Sequence, residues 1–243
     1  MILQLAKEAS IPMRVIYKNT TIDPPGTIAH AREMGAEVIT PKKNFFELME
    51  QNGIPSRYYR FCCRVLKEYR FDKSMDKIVI GVRRSESVRR SKSYMEPTEC
   101  VGTKASPLEA IYPILDWDDD DVREFLEDRR VKCAPAYYDE QGKFHVERRL
   151  GCMCCPLKSK KNRLEDFKAH PYMVKSYCRS AQRYLDTHPN VAANKRFANA
   201  YEWFVCNMFY DSYTKFAEQK NEVLFDNFDC KKIIEEYFSV RFD

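Results

Sequence analysis

The spacing of apolar and polar positions changes period several times along the chain. In "ILQLAKEA", residues 2–9, Ile2, Leu3, Leu5 and Ala6 can share one helical face. "MRVIYKNT", residues 13–20, is an apolar β-rich run that ends in polar residues and predicts a buried strand. "PPGTIAHAREMG" opens on Pro24–Pro25 and closes on Gly35, the start and stop signals of a helix. "AEVIT" (36–40) predicts a second short strand. "NFFELMEQNG" then predicts a helix with Asn44 as N-cap and Gly53 beyond its end. A helical stretch near 63–74 and a strand at "KIVIGV" (77–82) follow. In "LDWDDDDVREFLEDRR" the acids crowd the positive N-terminal end of a helix, and Val122, Phe125, Leu126 and Arg129 recur at helical spacing. Beyond about residue 160 the strand pattern stops, and "NKRFANAYEWFVCNMFYDSYTKFAEQK" reads as helical and rich in aromatics.

Strand and helix alternating at these lengths predict an α/β fold, a doubly wound, mostly parallel sheet over residues 1–156, with a C-terminal helical region over 157–243. Nucleotide-binding sheets of this kind usually carry a Gly-rich turn between first strand and first helix. Here the glycines stand at 26, 35, 53, 81, 102, 142 and 151, no two close together, and the first helical pattern has no strand before it. The expectation is an α/β domain lacking its first strand and phosphate loop.

Composition narrows the class. No apolar run approaches the roughly 20 residues that span a bilayer, and "MILQLAKEAS" lacks the features of a signal peptide. A reducing cytoplasm is therefore expected, where ten cysteines favour metal or redox use over disulfides. A net charge of +5 permits an anionic partner without requiring one. Residues 157–183 hold eight Lys/Arg against two acids, interleaved with Phe167, Tyr172 and Tyr177. That composition suits either a nucleic-acid backbone or a solvated helical face.

The cysteines carry the sharpest chemistry. "RRLGCMCCP" places Cys152, Cys154 and Cys155 within four positions, and "RFCCRVLK" holds the adjacent pair Cys62–Cys63. Adjacent cysteines are awkward for a tetrahedral zinc site, whereas Cys152 and Cys155 have the usual two-residue gap. Together the two segments offer four thiolates, which suit zinc or an iron–sulfur cluster, and spacing alone does not choose. Arg83 and Arg84 directly follow a predicted strand, at the carboxyl edge where α/β sheets bind ligands, and their planar forks match phosphate or sulfate oxygens. Ser87, Arg90 and Lys92 would extend that anion site. The acid run "DWDDDD" reads as a helix cap.

These segments, with "IVIGVRRSESVRRS" and "IYPILDWDDDDVREFLEDRRVKCAPAYYDE", stand in the order and spacing of the phosphoadenylyl-sulfate and adenylyl-sulfate reductase family. "NTTIDPPGT" (19–27) resembles that family's Asp-Thr-Gly … Pro-Glu-Thr segment, with Asn19 for Asp, Thr21 for Gly and Gly26 for Glu, which adds Asn19, Thr20 and Thr27 to the substrate-binding set. The resemblance spans residues 13–156. It implies a 4Fe–4S cluster on Cys62, Cys63, Cys152 and Cys155, with Cys154 at a non-ligand position, and a small-molecule nucleotide ligand, ATP or adenylyl sulfate. It also implies a thioredoxin-like reductant. The chain departs from the family at the Ser-Gly-Gly-x-Asp-Ser loop and at the catalytic Glu-Cys-Gly-Leu-His tail. Its last cysteine, Cys230 in "NFDCKKIIEEYF", is a weak candidate nucleophile. Three readings stay open: a reductase-type enzyme acting on an adenylylated sulfur substrate, an ATP-pyrophosphatase-type sulfur transferase acting on nucleic acid, and a non-catalytic nucleotide-binding remnant. An oligomer is compatible with each.

Overall fold

The computed structural model describes residues 1–69, 74–94, 96–100, 108–148, 150–222 and 228–242. In chain order its elements begin with α1 (Ile2–Glu8), β1 (Ile16–Lys18), α2 (Thr27–Glu33), β2 (Glu37–Ile39) and α3 (Phe45–Asn52). A π-helical turn (Cys63–Lys67), β3 (Lys77–Val79), α4 (Val88–Ser93), β4 (Thr98–Cys100), β5 (Glu109–Ile111) and α5 (Asp119–Asp128) follow. The rest is helical: α6 (Lys160–Ala169), α7 (Pro171–Thr187), α8 (Ala200–Phe209), α9 (Tyr213–Glu222) and α10 (Cys230–Phe238). No helix among the described residues is long and apolar enough to cross a membrane.

The chain packs as two units. One comprises Met1–Tyr17, Pro24–Ile39 and Tyr69–Leu150; the other comprises Lys18–Asp23, Thr40–Glu68 and Gly151–Asp243. Two stretches on the amino-terminal side of residue 156 thus pack with the carboxy-terminal helices.

The first unit is mixed α/β. β1 pairs with β2, and β3, β5 and β4 form a sheet with β5 in the middle. β3 lies parallel to β5, with Ile78 opposite Ala110, while β4 lies antiparallel to it, with Glu99 opposite the same Ala110. The expected strands at 13–20 and 77–82 are present as three-residue segments, half-buried along β1 instead of fully buried. β4 and β5 carry no clear alternation and were not anticipated. In α5, the Asp118 carboxylate accepts amide hydrogen bonds from Asp120 and Asp121, and the Asp121 carboxylate accepts one from the Asp118 amide, so the acid run is a capping box. Val122, Phe125 and Leu126 are buried, while Arg129 stays exposed with its guanidinium 4.3 Å from the Phe125 ring.

The second unit is helical, with α3 packed on α7. Asn44 caps α3 through a capping box with Glu47, and Phe45, Leu48 and Met49 point into the core. α7 buries Met173, Val174, Tyr177, Cys178, Ala181 and Leu185, a stripe at helical spacing. The helical stretch expected near 63–74 is the five-residue π turn Cys63–Lys67, with residues 70–73 outside the described residues. Gly53 ends α3 at φ +78°, where a Cβ would lie 2.6 Å from Trp203 and 2.9 Å from Tyr184. Both the left-handed backbone and the clash oppose a side chain. Gly53→Ala is therefore expected to cost about 2–4 kcal/mol, read as a lower denaturation midpoint. An unchanged midpoint would contradict the packing described.

Candidate metal centre and anion cavity

Two segments of the second unit bring five cysteines around one small cavity. Cys62 and Cys63 come from the start of the π turn, where Phe61, Cys62 and Leu66 are buried and the Glu68 amide reaches back to the Cys63 carbonyl at 2.7 Å. The extra residue in such a turn re-aims side chains, and π turns occur often at functional sites. Cys152, Cys154 and Cys155 come from the turn after Gly151 and line the same cavity, together with Thr20 and Lys67.

Hydrogen bonds fix both segments. The Met153 amide donates to the Ile22 carbonyl (2.8 Å), and the Cys152 thiol donates to Thr20 Oγ1 (3.4 Å). Thr20 in turn is held by Asp23, through its amide (2.9 Å) and its hydroxyl (2.8 Å). Asn19 Oδ1 accepts the Thr21 amide at 2.7 Å, closing a tight turn in which Thr21 sits at φ +64°. Cys154 lies at φ +57°, buried, its amide donating to Asp166 Oδ2 at 2.7 Å, and Lys158 neutralises that carboxylate at 2.7 Å.

The thiols are not equivalent. Cys62 and Cys63 are hydrogen-bonded to each other, which holds Cys63 down, to about 6, against the opposing effect of burial, and pushes Cys62 well up. Burial raises Cys152 and, more strongly, Cys154. Among the described residues no three His, Cys, Asp or Glu side chains are grouped so that they could hold a metal ion together. Two polar groups near these thiols lack hydrogen-bond partners among the described residues: Arg163 Nε on α6 and the Tyr177 hydroxyl on α7. Nothing in the sequence marked them, since Arg163 sits in a lysine-rich window and Tyr177 on an apolar stripe.

The first unit holds a cavity of about 750 Å³. Arg83, Arg90, Lys132 and Arg148 line it, against Glu86, Asp119 and Glu147. Arg83 is 8% exposed. Its Nη2 meets Asp119 at 2.7 Å and its Nε lies 3.7 Å from Glu86, while Nη1 is buried with no hydrogen-bond partner among the described residues. Thr27 also lines the cavity, its hydroxyl donating to the Pro24 carbonyl. Other residues expected in one anion site are placed elsewhere. Arg84 pairs with Asp116 and donates to the Tyr94 carbonyl, and it does not line the cavity. Ser87 caps α4 by accepting the Arg90 amide, and Lys92 is exposed. Asn19 and Thr20 belong to the second unit, with Thr20 at the cysteines.

Cys230 opens α10 at 5% exposure, and burial pushes its thiol up to about 12. A nucleophile needs an accessible thiolate, and Cys230 has neither property. Alkylation of the native protein is expected to label exposed Cys100 and spare Cys230; mass spectrometry showing Cys230 modified first would reverse that. The aromatics interleaved with the basic residues of 157–183 are also largely inaccessible. Phe167 and Tyr177 are fully buried and Tyr172 alone is exposed, so no stacking platform for bases is formed there.

The model of the phosphoadenosine phosphosulfate reductase domain matches residues 1–158. The chain belongs to this family. Within this reductase-domain match lie Cys62, Cys63, Cys152, Cys154, Cys155 and Arg83, while Arg163, Tyr177 and Cys230 lie beyond it. An uncharacterized protein of Methanocaldococcus jannaschii is 29% identical over 163 residues, covering 63% of this chain and 37% of that protein. The chain therefore spans little more than a third of that relative's length.

Proposed function

We propose that this member of the phosphoadenosine phosphosulfate reductase domain family binds an adenylylated sulfur substrate, phosphoadenylyl sulfate or adenylyl sulfate, and carries a 4Fe–4S cluster on Cys62, Cys63, Cys152 and Cys155. One observation carries the reading: cysteines from two segments far apart in sequence line a single cavity in the second unit. The donor set is all thiolate, which iron–sulfur clusters use. Arg163, whose Nε has no hydrogen-bond partner among the described residues, and Tyr177, whose hydroxyl has none there either, would supply positive charge and a hydrogen-bond donor near an anionic centre. When bound, such a cluster supplies electron transfer or a fixed local charge.

For the substrate, the protein's own groups are Arg83, whose Nη1 has no hydrogen-bond partner among the described residues, and the surplus of basic over acidic groups in the 750 Å³ cavity. That volume falls in the range of ligand pockets, roughly 300–1,000 Å³. The sulfur-transferase reading on nucleic acid draws less support, because Phe167 and Tyr177 are core residues. Iron, acid-labile sulfide and zinc assays on protein purified without oxygen test the proposal. About four irons and four sulfides per chain are expected; stoichiometric zinc with no iron would sink it.

A further inference from the structure

α6 and α7 place two polar groups in the interior of the second unit that nothing described there satisfies. Arg163 is 8% exposed, its Nε has no hydrogen-bond partner, and its guanidinium forms no salt bridge among the described residues. Tyr177 is fully buried with its hydroxyl unpaired. A buried charge without a counter-charge is among the most destabilising features a core can hold.

The carboxylates within reach by sequence are already committed. Asp166, one turn after Arg163, accepts the Cys154 amide at 2.7 Å and is ion-paired to Lys158. Glu165 points outward, 4.0 Å from Lys161. The buried Glu202 is matched by Lys220 at 2.5 Å.

Both orphans belong to the wall behind the cysteines. Arg163, Asp166 and Phe167 share one face of α6, by their three- and four-residue spacing, and Asp166 grips the backbone of Cys154. The Phe167 ring packs edge-on against Tyr177 at 5.3 Å, and Tyr177 lies 6.1 Å from Phe45, which lines the cysteine cavity. Burial pushes the Tyr177 hydroxyl up; the Arg163 charge opposes this, and the thiols of Cys154, Cys62 and Cys155 add to it.

We infer that Arg163 and Tyr177 are the charge and hydrogen-bond partners of an anionic four-thiolate iron–sulfur centre and raise its reduction potential. The inference rests on the cluster reading above and goes further, because both residues lie beyond the segment 1–158 that the family match covers. Cluster potentials respond to local charge and to hydrogen bonds at the sulfurs, and a cationic neighbour favours the more negative, reduced state. Arg163 and Tyr177 act through the cluster's environment and are positioning residues.

The test uses full-length protein purified without oxygen and a potentiometric titration followed by electron paramagnetic resonance. At the ambient potential that half-reduces the wild type, Arg163→Met is expected to raise the oxidised-to-reduced ratio at least tenfold, which is 59 mV for a one-electron couple. Arg163→Lys, which keeps the charge, should recover most of that shift. Tyr177→Phe should move the ratio the same way by a smaller amount. Thermal melts establish that each variant is folded, and where Arg163→Met is not, Tyr177→Phe decides. An iron-loaded, folded Arg163→Met protein with a ratio within twofold of wild type, or a Tyr177→Phe protein with an unchanged ratio where it decides, would overturn the inference. A wild type that binds no iron overturns the cluster reading itself, before any variant is made.

Discussion

Cys62→Ser protein purified without oxygen is expected to lose its brown visible absorbance and nearly all its iron. A cluster bound only by the folded state stabilises that state by mass action, about 4 kcal/mol when it is present at a thousandfold above its dissociation constant. For a chain of this size that amounts to roughly 8–16 °C in Tm. The serine itself changes one atom in a largely apolar cavity, so most of the loss would report the missing centre. Cys154→Ala separates the two effects. Cys154 is as buried as Cys62, with its amide tied to Asp166, yet the family pattern gives it no ligand role. It should keep its iron and lose only core packing. Iron retained by Cys62→Ser, or lost equally in Cys154→Ala, would redraw the ligand set.

Arg83→Met should weaken binding of adenylyl sulfate about 10- to 100-fold, read by titration calorimetry, as expected for one charge-assisted contact of about 1.5–3 kcal/mol. Removing this cation also frees Asp119, 2.7 Å away, to repel an anionic ligand. Arg83→Met with Asp119→Asn isolates the direct contribution. Arg84→Met should bind almost as wild type, because its guanidinium is engaged by Asp116 and the Tyr94 carbonyl. Equal losses at both positions would mean that the ligand sits elsewhere along the loop.

The contrast between these neighbouring arginines shows where sequence reasoning stops. Chemistry dictated within one turn was legible: the Asn44 capping box, the Gly53 stop and the Asp118 cap are local patterns, and all stand in the fold. The cysteine segments were legible because an adjacent pair and a two-residue gap stand out by spacing alone. Which of two adjacent arginines faces a cavity depends on partners contributed by other segments, Asp119 for one and Asp116 for the other. β4 and β5 were missed because three-residue strands carry too few positions to show a period. Phe167 and Tyr177 stood in a basic window that suited either a nucleic-acid backbone or a solvated face, although Tyr177 recurs at helical spacing with Val174 and Ala181, the mark of a buried stripe. That Thr20 stands beside Cys152 was not legible, because resemblance transfers residue types more readily than it transfers the company they keep.

The second unit is stitched from segments that leave the ribosome far apart in time, and this affects how its cysteines are assembled. Cys62 and Cys63 are synthesised about 90 residues before Cys152, an interval of roughly 5–20 s at ordinary translation rates. Through that interval the pair lacks the α7 stripe that later covers α3, and both thiols stand open to oxidants and stray metals. Slow translation or an oxidising growth phase should therefore lower the yield of correctly assembled protein more than it lowers the stability of molecules already complete.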